Sequence, residues 1–328
     1  MASRRHLLVM SSLGAVSLAR AQSSSRTRRI GFLGARARST PSNPDVYYDA
    51  FVKGLRELGY IEGRNLVVEW RFADGHYERL PELAADLVKL NVEVIVTHST
   101  PGTRAAQRAT STIPIVTAAS LDAIASGFST HLGKPTGNIT GLTLMVIDLT
   151  PKQVELTRMM VPTLSRVGLL TNPGNAAHPE FDASLRAAAQ QAKVEVVPFS
   201  ARIPEDIVRA FADMESNKVG AAVIAADSFF IGQRRLIAEA AIKSRIPSMS
   251  SYREDVHAGC LMSYGQDTAE FYRRAAGYVD KLLKGARPSD LPIEQPAKIH
   301  LAVNRTTAGL LGLTIPKMLL LRADELVG

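Results

Sequence analysis

Six short stretches of this chain gather the side chains best suited to holding a small polar molecule: 34–43, 97–102, 118–122, 171–178, 226–230 and 250–255. Ser99, Thr100, Ser120, Ser228 and Ser251 offer hydroxyls, Asn172 and Asn175 add amides, and Asp122, Asp227 and Glu254 can accept from an ammonium or a hydroxyl. Phe229, Phe230 and Tyr252 suit stacking on a ring or ligand stem. Each has a purely local alternative. A Ser or Thr after a strand commonly caps the next helix, and Asp227 fits that role too. Asn172-Pro-Gly-Asn175 is a turn by composition. Phe229-Phe230 suits a core equally well. What favours binding is the position of the whole group around one expected cleft.

Enzyme chemistry finds little support. Gly31-Phe-Leu-Gly34 lacks the third glycine of a dinucleotide loop, and neither a Walker loop nor a Gly-x-Ser-x-Gly elbow occurs. The histidines (His6, His76, His98, His131, His178, His257 and His300) are isolated, with no His-x-x-x-His pair to hold a metal. The expectation is a non-enzyme without metal or cofactor. His98 stands at a strand end and reads as a cleft-lining residue rather than a catalytic base.

Those stretches need a scaffold, and the chain writes one twice. Arg28-Arg-Ile-Gly-Phe-Leu-Gly34 returns as Ser165-Arg-Val-Gly-Leu-Leu-Thr171, and Val92-Glu-Val-Ile-Val-Thr97 as Val219-Gly-Ala-Ala-Val-Ile-Ala225. Ile113-Pro-Ile-Val116 returns as Ile246-Pro-Ser-Met249. In the first half, apolar runs at 30–33, 66–72, 92–96, 113–116 and 139–144 read as strands, with helices at 46–58, 77–90 and 103–109. The second half gives strands at 167–170, 195–199, 221–225 and 246–249, and helices at 180–192, 205–217 and 233–244. A segment at 260–264, a helix at 268–284, a proline-rich stretch at 288–296, a strand at 299–303 and a helix at 306–311 follow.

Such alternation predicts an α/β protein of two similar Rossmann-like lobes, each with a parallel sheet and right-handed crossovers. Ligands of open parallel sheets sit beyond the carboxyl ends of the strands, where the six stretches fall. The helix at 268–284 has no counterpart in the repeat and is expected to return to the first lobe. That assigns 28–145 and 265–290 to lobe 1, 146–264 and 291–328 to lobe 2. Several crossing segments then form a multi-strand hinge rather than a loose linker.

Residues 1–21 have the parts of an export signal: Arg4 and Arg5, an apolar stretch at 7–18, and Ala19-Arg-Ala21 as a cleavage site. Cleavage near Ala21 would leave an exported, periplasmic protein. Ser3-Arg-Arg-His-Leu-Leu8 also approximates a twin-arginine signal, and an ordinary secretory leader fits equally. The formal charge is +8, of which Arg4, Arg5 and Arg20 belong to the leader. The remaining basic residues are scattered, with no stripe interleaved with aromatics, which argues against nucleic acid as a partner. One cysteine, Cys260, permits no intramolecular disulfide and reads as a small buried hydrophobe.

Ile30-Gly-Phe-Leu-Gly34, Phe51-Val-Lys-Gly-Leu-Arg-Glu-Leu-Gly-Tyr-Ile-Glu-Gly63 and Leu80-Pro-Glu-Leu-Ala-Ala-Asp-Leu-Val88 carry a resemblance. So do Gly137-Asn-Ile-Thr-Gly141, Asn172-Pro173, Leu261-Met-Ser-Tyr-Gly265, Leu282-Leu-Lys-Gly285, Leu313-Thr-Ile-Pro316 and Arg322-Ala-Asp-Glu325. Over nearly the whole chain after the leader, it resembles the ABC-transporter substrate-binding proteins of the tryptophan/tyrosine-binding type, which have the type I periplasmic binding protein fold. The resemblance implies a receptor that closes on a small polar or amino-acid-like solute, an amino acid or organic acid, and delivers it to an ABC permease in the inner membrane. The alternative is an extracytoplasmic sensing module that signals to a membrane partner. An amino-acid-like ligand would have its carboxylate on Ser99, Thr100 and helix-start amides, and its ammonium on Asp122 or Asp227. An aromatic group would rest on Phe229, Tyr252 or Tyr264. Where the family usually carries a glycine followed by Asp-Pro, this chain reads Ala118-Ala-Ser-Leu-Asp-Ala123, so Asp122 is the candidate for that acid.

Overall fold

The computed structural model describes residues 27–41 and 44–328, so the expected leader lies outside the described residues. The first half runs β1 (Arg28–Gly34), α1 (Val46–Glu57), β2 (Leu66–Phe72), α2 (Leu80–Lys89), β3 (Val94–Thr97), α3 (Thr100–Ala109), β4 (Ile115–Leu121) and β5 (Ile139–Leu144). The second runs α4 (Thr150–Met160), β6 (Arg166–Thr171), α5 (His178–Gln191), β7 (Glu195–Ser200), α6 (Pro204–Ser216), β8 (Ala221–Ile224), α7 (Ser228–Gly232), α8 (Arg234–Lys243), β9 (Ser248–Ser250), α9 (Arg253–His257) and β10 (Met262–Gln266). Then come α10 (Thr268–Leu283), β11 (Ile293–Glu294), β12 (Ile299–Asn304), α11 (Arg305–Leu310), α12 (Lys317–Arg322) and β13 (Glu325–Val327).

Two sheets result, and their orders correspond. The first is β11-β5-β4-β3-β1-β2 and the second β13-β12-β10-β9-β8-β6-β7. Removing the tail strands leaves the same winding in each, with β1, β2, β3, β4 and β5 matching β6, β7, β8, β9 and β10. All pairings are parallel except β10 with β12. The repeated sequence runs are β1 with β6, β3 with β8 and β4 with β9. Both faces of these strands are covered by helices, which is why they read as continuous apolar runs rather than alternating ones.

The correspondence extends to one glycine in each lobe. A Cβ on Gly141 of β5 would overlap the backbone of Thr117 in β4, and one on Gly265 of β10 would overlap the backbone of Ser251 just after β9. Both lobes therefore need a residue without a side chain where the fifth strand meets the fourth.

Helix α10 packs on α1, β3, β4 and β5, in the first lobe. Gly54 of α1 lets the two helices approach until a Cβ there would meet the Arg273 carbonyl at 2.5 Å. The chain passes between the sheets at 145–149, at 267 and at 295–298. Gln266 binds the three passages together: its Oε1 accepts from Met145 N–H at 2.7 Å and its Nε2 donates to Pro296 O. The proline-rich stretch adds β11 to the edge of the first sheet beside β5, so the chain leaves that sheet after Glu294 rather than at 291.

Several elements differ from the sequence reading. The helix expected at 77–90 opens with a 3-10 turn, Tyr77–Arg79, before α2. Helix α3 begins at Thr100, earlier than expected, because Ser99 caps it and Pro101 fits its first turn. Helix α4 went unread because its buried face includes Thr150, Gln153 and Thr157, which blurs the apolar period. Helices α7 and α9 span five residues each, too few to show a period.

Candidate functional site

A small cavity, about 20 Å³ and partly open to solvent, lies where the carboxyl ends of both sets of strands converge. From the first lobe come Arg36 after β1, His98, Ser99 and Thr100 after β3, Ala119 and Leu121 of β4, and Leu144 of β5. From the second come Asn175 after β6, Ala226, Asp227 and Ser228 after β8, Ile231, and Tyr252 after β9. Thr268 and Tyr272 of α10 close it. The two topological switch points thus face one volume.

On the second lobe Asp227 is the centre. It caps α7 through Phe229 N–H at 2.9 Å. Asn172 Nδ2 donates to its Oδ1 at 3.1 Å and Asn175 Nδ2 to its Oδ2 at 2.8 Å. His178 Nδ1 accepts from Asn172 N–H at 2.8 Å, so a neutral ring carries its hydrogen on Nε2, 3.3 Å from Ala226 O and 3.6 Å from Asp227 Oδ2.

On the first lobe the buried Arg36 makes a two-pronged pair with Asp45, Nε to Oδ2 at 2.7 Å and the second guanidinium arm to Oδ1 at 3.1 Å. Asp45 also caps α1 through Tyr47 and Tyr48 N–H. The guanidinium lies over the Tyr48 ring at 4.7 Å and the Tyr47 ring at 5.2 Å, with Tyr272 at 6.0 Å. Burial opposes the charge on Arg36, but Asp45 more than offsets it and keeps the group protonated. Burial likewise opposes ionisation of Asp45, and Arg36 nevertheless holds its carboxyl below the ordinary range.

His98 links the lobes. Its Nε2 accepts from Ala35 N–H at 3.0 Å and from the Tyr48 hydroxyl at 2.9 Å, so the hydrogen sits on Nδ1 and is directed at Ser228 Oγ, 3.3 Å away. Burial, then the nearby Arg36 charge, push its pKa well below that of a free imidazole. Two further bonds cross the cleft. Tyr77 donates to Asp227 Oδ1 at 2.9 Å, and Tyr47 donates to Glu254 Oε2 at 2.8 Å. Direct polar contacts thus join the two lobes around the cavity.

A family model described as ABC transporter substrate binding protein matches residues 40–327. The chain belongs to that family. A relative called tyrosine-binding protein, from Clostridioides difficile, is 24% identical over 78% of this chain and 74% of its own. Among solved structures, a conserved domain protein from Vibrio cholerae is 27% identical with a TM-score of 0.84, covering 92% of this chain and all (100%) of its own. The ABC domain from Streptococcus pneumonia in complex with L-Trp is 25% identical, with a TM-score of 0.82 and the same coverage. The fold is that of the type I periplasmic binding proteins.

Within this substrate-binding protein, five of the expected site residues meet at the cavity: Ser99, Thr100, Asn175, Asp227 and Tyr252. Asn172 sits behind it and orients Asp227. The others fall elsewhere. Ser120 is buried, and its hydroxyl has no partner among the described residues. It alternates with the lining residues Ala119 and Leu121 along β4 and so faces away. Asp122 accepts from Ile124 and Ala125 N–H and closes a local turn. Phe229 packs in the core with Phe230, ring centroids 5.6 Å apart, although its amide serves Asp227. Ser251 accepts from Gln153 Nε2 at 3.1 Å, Tyr264 contributes its carbonyl to the same amide, and Glu254 receives Tyr47.

Sequence reasoning passed over Arg36 as one of several scattered arginines, and it did not see Tyr47, Tyr48, Tyr77 or Tyr272. Two adjacent tyrosines just after a capping aspartate were the available signal. Tyr272 lies on a helix with a long buried face, so nothing in its spacing sets it apart.

Proposed function

We propose that this protein is the extracytoplasmic receptor of an ABC importer, taking a small amino-acid-like or organic-acid solute into the cleft and presenting it to a permease by hinge closure. The observation that carries this reading is the closed cleft itself. Tyr77, His98 and Tyr47 of one lobe bond directly to Asp227, Ser228 and Glu254 of the other around the small cavity. A ligand touching both walls favours that closed state by its differential affinity. The names of the relatives, one tyrosine-binding and one bound to L-Trp, support the solute class.

The leader-like residues 1–21 support export to the periplasm. Among the described residues no helix is long and apolar enough to cross a membrane, and no group of three or more His, Cys, Asp or Glu is placed to hold a metal. A thermal-shift panel of amino acids, organic acids, sugars and nucleosides tests the reading. A ligand at about 100 times its dissociation constant adds ~2.7 kcal/mol and a shift of several degrees. Small-angle scattering should show no expansion with it. A panel in which no solute moves the melting point defeats the proposal.

A further inference from the structure

The hydrogen bonds around the cavity run in one direction. Ser99 Oγ accepts from Gly102 N–H at 3.3 Å, Thr100 Oγ1 from Leu121 N–H at 3.3 Å, and Ser228 Oγ from His98. Each hydroxyl therefore keeps its own O–H for a guest. Tyr252 is 7% exposed, and its hydroxyl has no hydrogen-bond partner among the described residues. Arg36 is 4% exposed. Of its five N–H groups, two serve Asp45. His98 Nδ1, already carrying hydrogen, cannot accept the others. The wall is a set of donors lacking acceptors.

Its one carboxylate is already engaged. The Asp227 side chain has 0% exposure and receives Tyr77, Asn172, Asn175 and the Phe229 amide. Asp122, the other residue expected to meet an ammonium, is engaged by two amides and does not line the cavity. An α-ammonium entering here would find only the fully buried Asp227, whose Oδ1 already takes three donors and whose Oδ2 takes Asn175, so its desolvation would be poorly offset.

The openings of the cleft add an independent observation. Arg104, Arg108 and Arg202 line one mouth, and Arg38, Arg234 and Arg235 the other. The rims also carry acids: Asp74 is paired with Arg79 at 2.9 Å and Asp45 with Arg36, Glu78 lies 3.2 Å from His76, and Arg234 lies 3.9 Å from Asp255. Such rims concentrate anions and hasten their arrival, whereas a zwitterion gains little.

The geometry points to a small organic acid without an α-ammonium, an alkanoate or arylalkanoate, as the ligand class of this cleft. Its carboxylate meets Arg36, Tyr252 and the Ser and Thr hydroxyls, and its carbon body meets Leu121, Leu144 and Ile231. This rests on the solute-receptor reading above and narrows it.

Calorimetry on the purified protein with matched pairs tests it: 3-phenylpropanoate against L-phenylalanine, and 4-methylpentanoate against L-leucine. The unaminated member should bind at least about tenfold tighter in one pair or both, with an on-rate that falls as salt rises. Tyr252→Phe should weaken the acid by roughly 3–10-fold, the worth of one hydrogen bond, without lowering the melting point. An amino acid that binds as tightly as its unaminated partner overturns the inference and leaves the receptor reading standing. A response confined to sugars or nucleosides overturns the inference and the solute class proposed above, and leaves only a receptor of another solute. Silence from every solute class removes both together.

Discussion

Tyr77 and Asp227 meet across the cleft: the phenol O–H donates to Oδ1 at 2.9 Å, and the same phenol oxygen accepts from Phe229 N–H at 2.9 Å. Tyr77 belongs to the 3-10 turn before α2, while Asp227 and Phe229 flank the start of α7. One hydroxyl of the first lobe thus completes a helix cap on the second. Burial, then the Asp227 charge, push the Tyr77 pKa well above that of a free phenol, so the donor stays protonated.

Tyr77→Phe removes that latch and leaves the ring. A net hydrogen bond to a charged group is worth ~1.5–3 kcal/mol, so the closed state should lose about ten- to a hundredfold in population. Ligand affinity should fall by a comparable factor, and the unliganded radius of gyration should rise in small-angle scattering. An unchanged radius and affinity would show that other contacts hold the lobes shut.

Asp227→Asn is a smaller change in shape and a larger one in energy. One oxygen becomes an NH2 that must face the donors Asn172, Asn175 and Tyr77. A buried donor set left without its acceptor costs ~1–3 kcal/mol per group. The melting point should drop by several degrees in the absence of ligand, and binding should weaken with it. A variant as stable as the parent would mean the carboxylate is not the organiser of this wall.

Gln266→Ala cuts the ties to Met145 and Pro296 at the crossings. Hydrogen exchange should accelerate at 145–149 and 295–298, and stability should fall by ~1–3 kcal/mol from the amides left unsatisfied. The cavity wall, on other segments, should keep its protection. Equal acceleration throughout the chain would instead indicate global destabilisation.

Two buried groups give opposing pH dependences. His98 is lowered well below its unfolded value by burial and then by Arg36, so the unfolded chain takes up the extra proton and stability falls as pH drops below about 6.5. Asp255 is pushed up to about 7 by burial, so the folded chain holds the extra proton and stability falls as pH rises from about 4 through 7. Each slope is at most ~1.4 kcal/mol per pH unit. The parent protein should therefore be nearly flat from pH 5 to 6.5, and Asp255→Asn should lose stability on acidification over that range. Melting curves of the two proteins across pH decide this. A variant as flat as its parent would remove Asp255 from the balance.

The repeat, the strand runs and the order of elements were legible because a strand covered on both faces must be apolar along its length. That signal survives in Ile30–Leu33, Val94–Val96 and Ala221–Ile224 without any knowledge of the fold. The stretches at the strand ends were legible for the same reason, and Ser99, Thr100, Asn175, Asp227 and Tyr252 were found through them. Position at a strand end could not tell a residue facing the cleft from one facing away. Ser120 alternates out of the wall, and Asp122 turns back on its own loop.

The sequence by itself determined two wound sheets, because periodicity and chain order are local properties. Only the tertiary structure decided which polar groups remain available. Arg36 acquires its tyrosine surroundings from α1 and α10, more than two hundred residues apart in the chain. Asp227 receives Asn172 and Asn175 from the loop after β6 and Tyr77 from the other lobe. A hydrogen bond depends on distance and direction, and the way the two lobes meet around one cavity sets both.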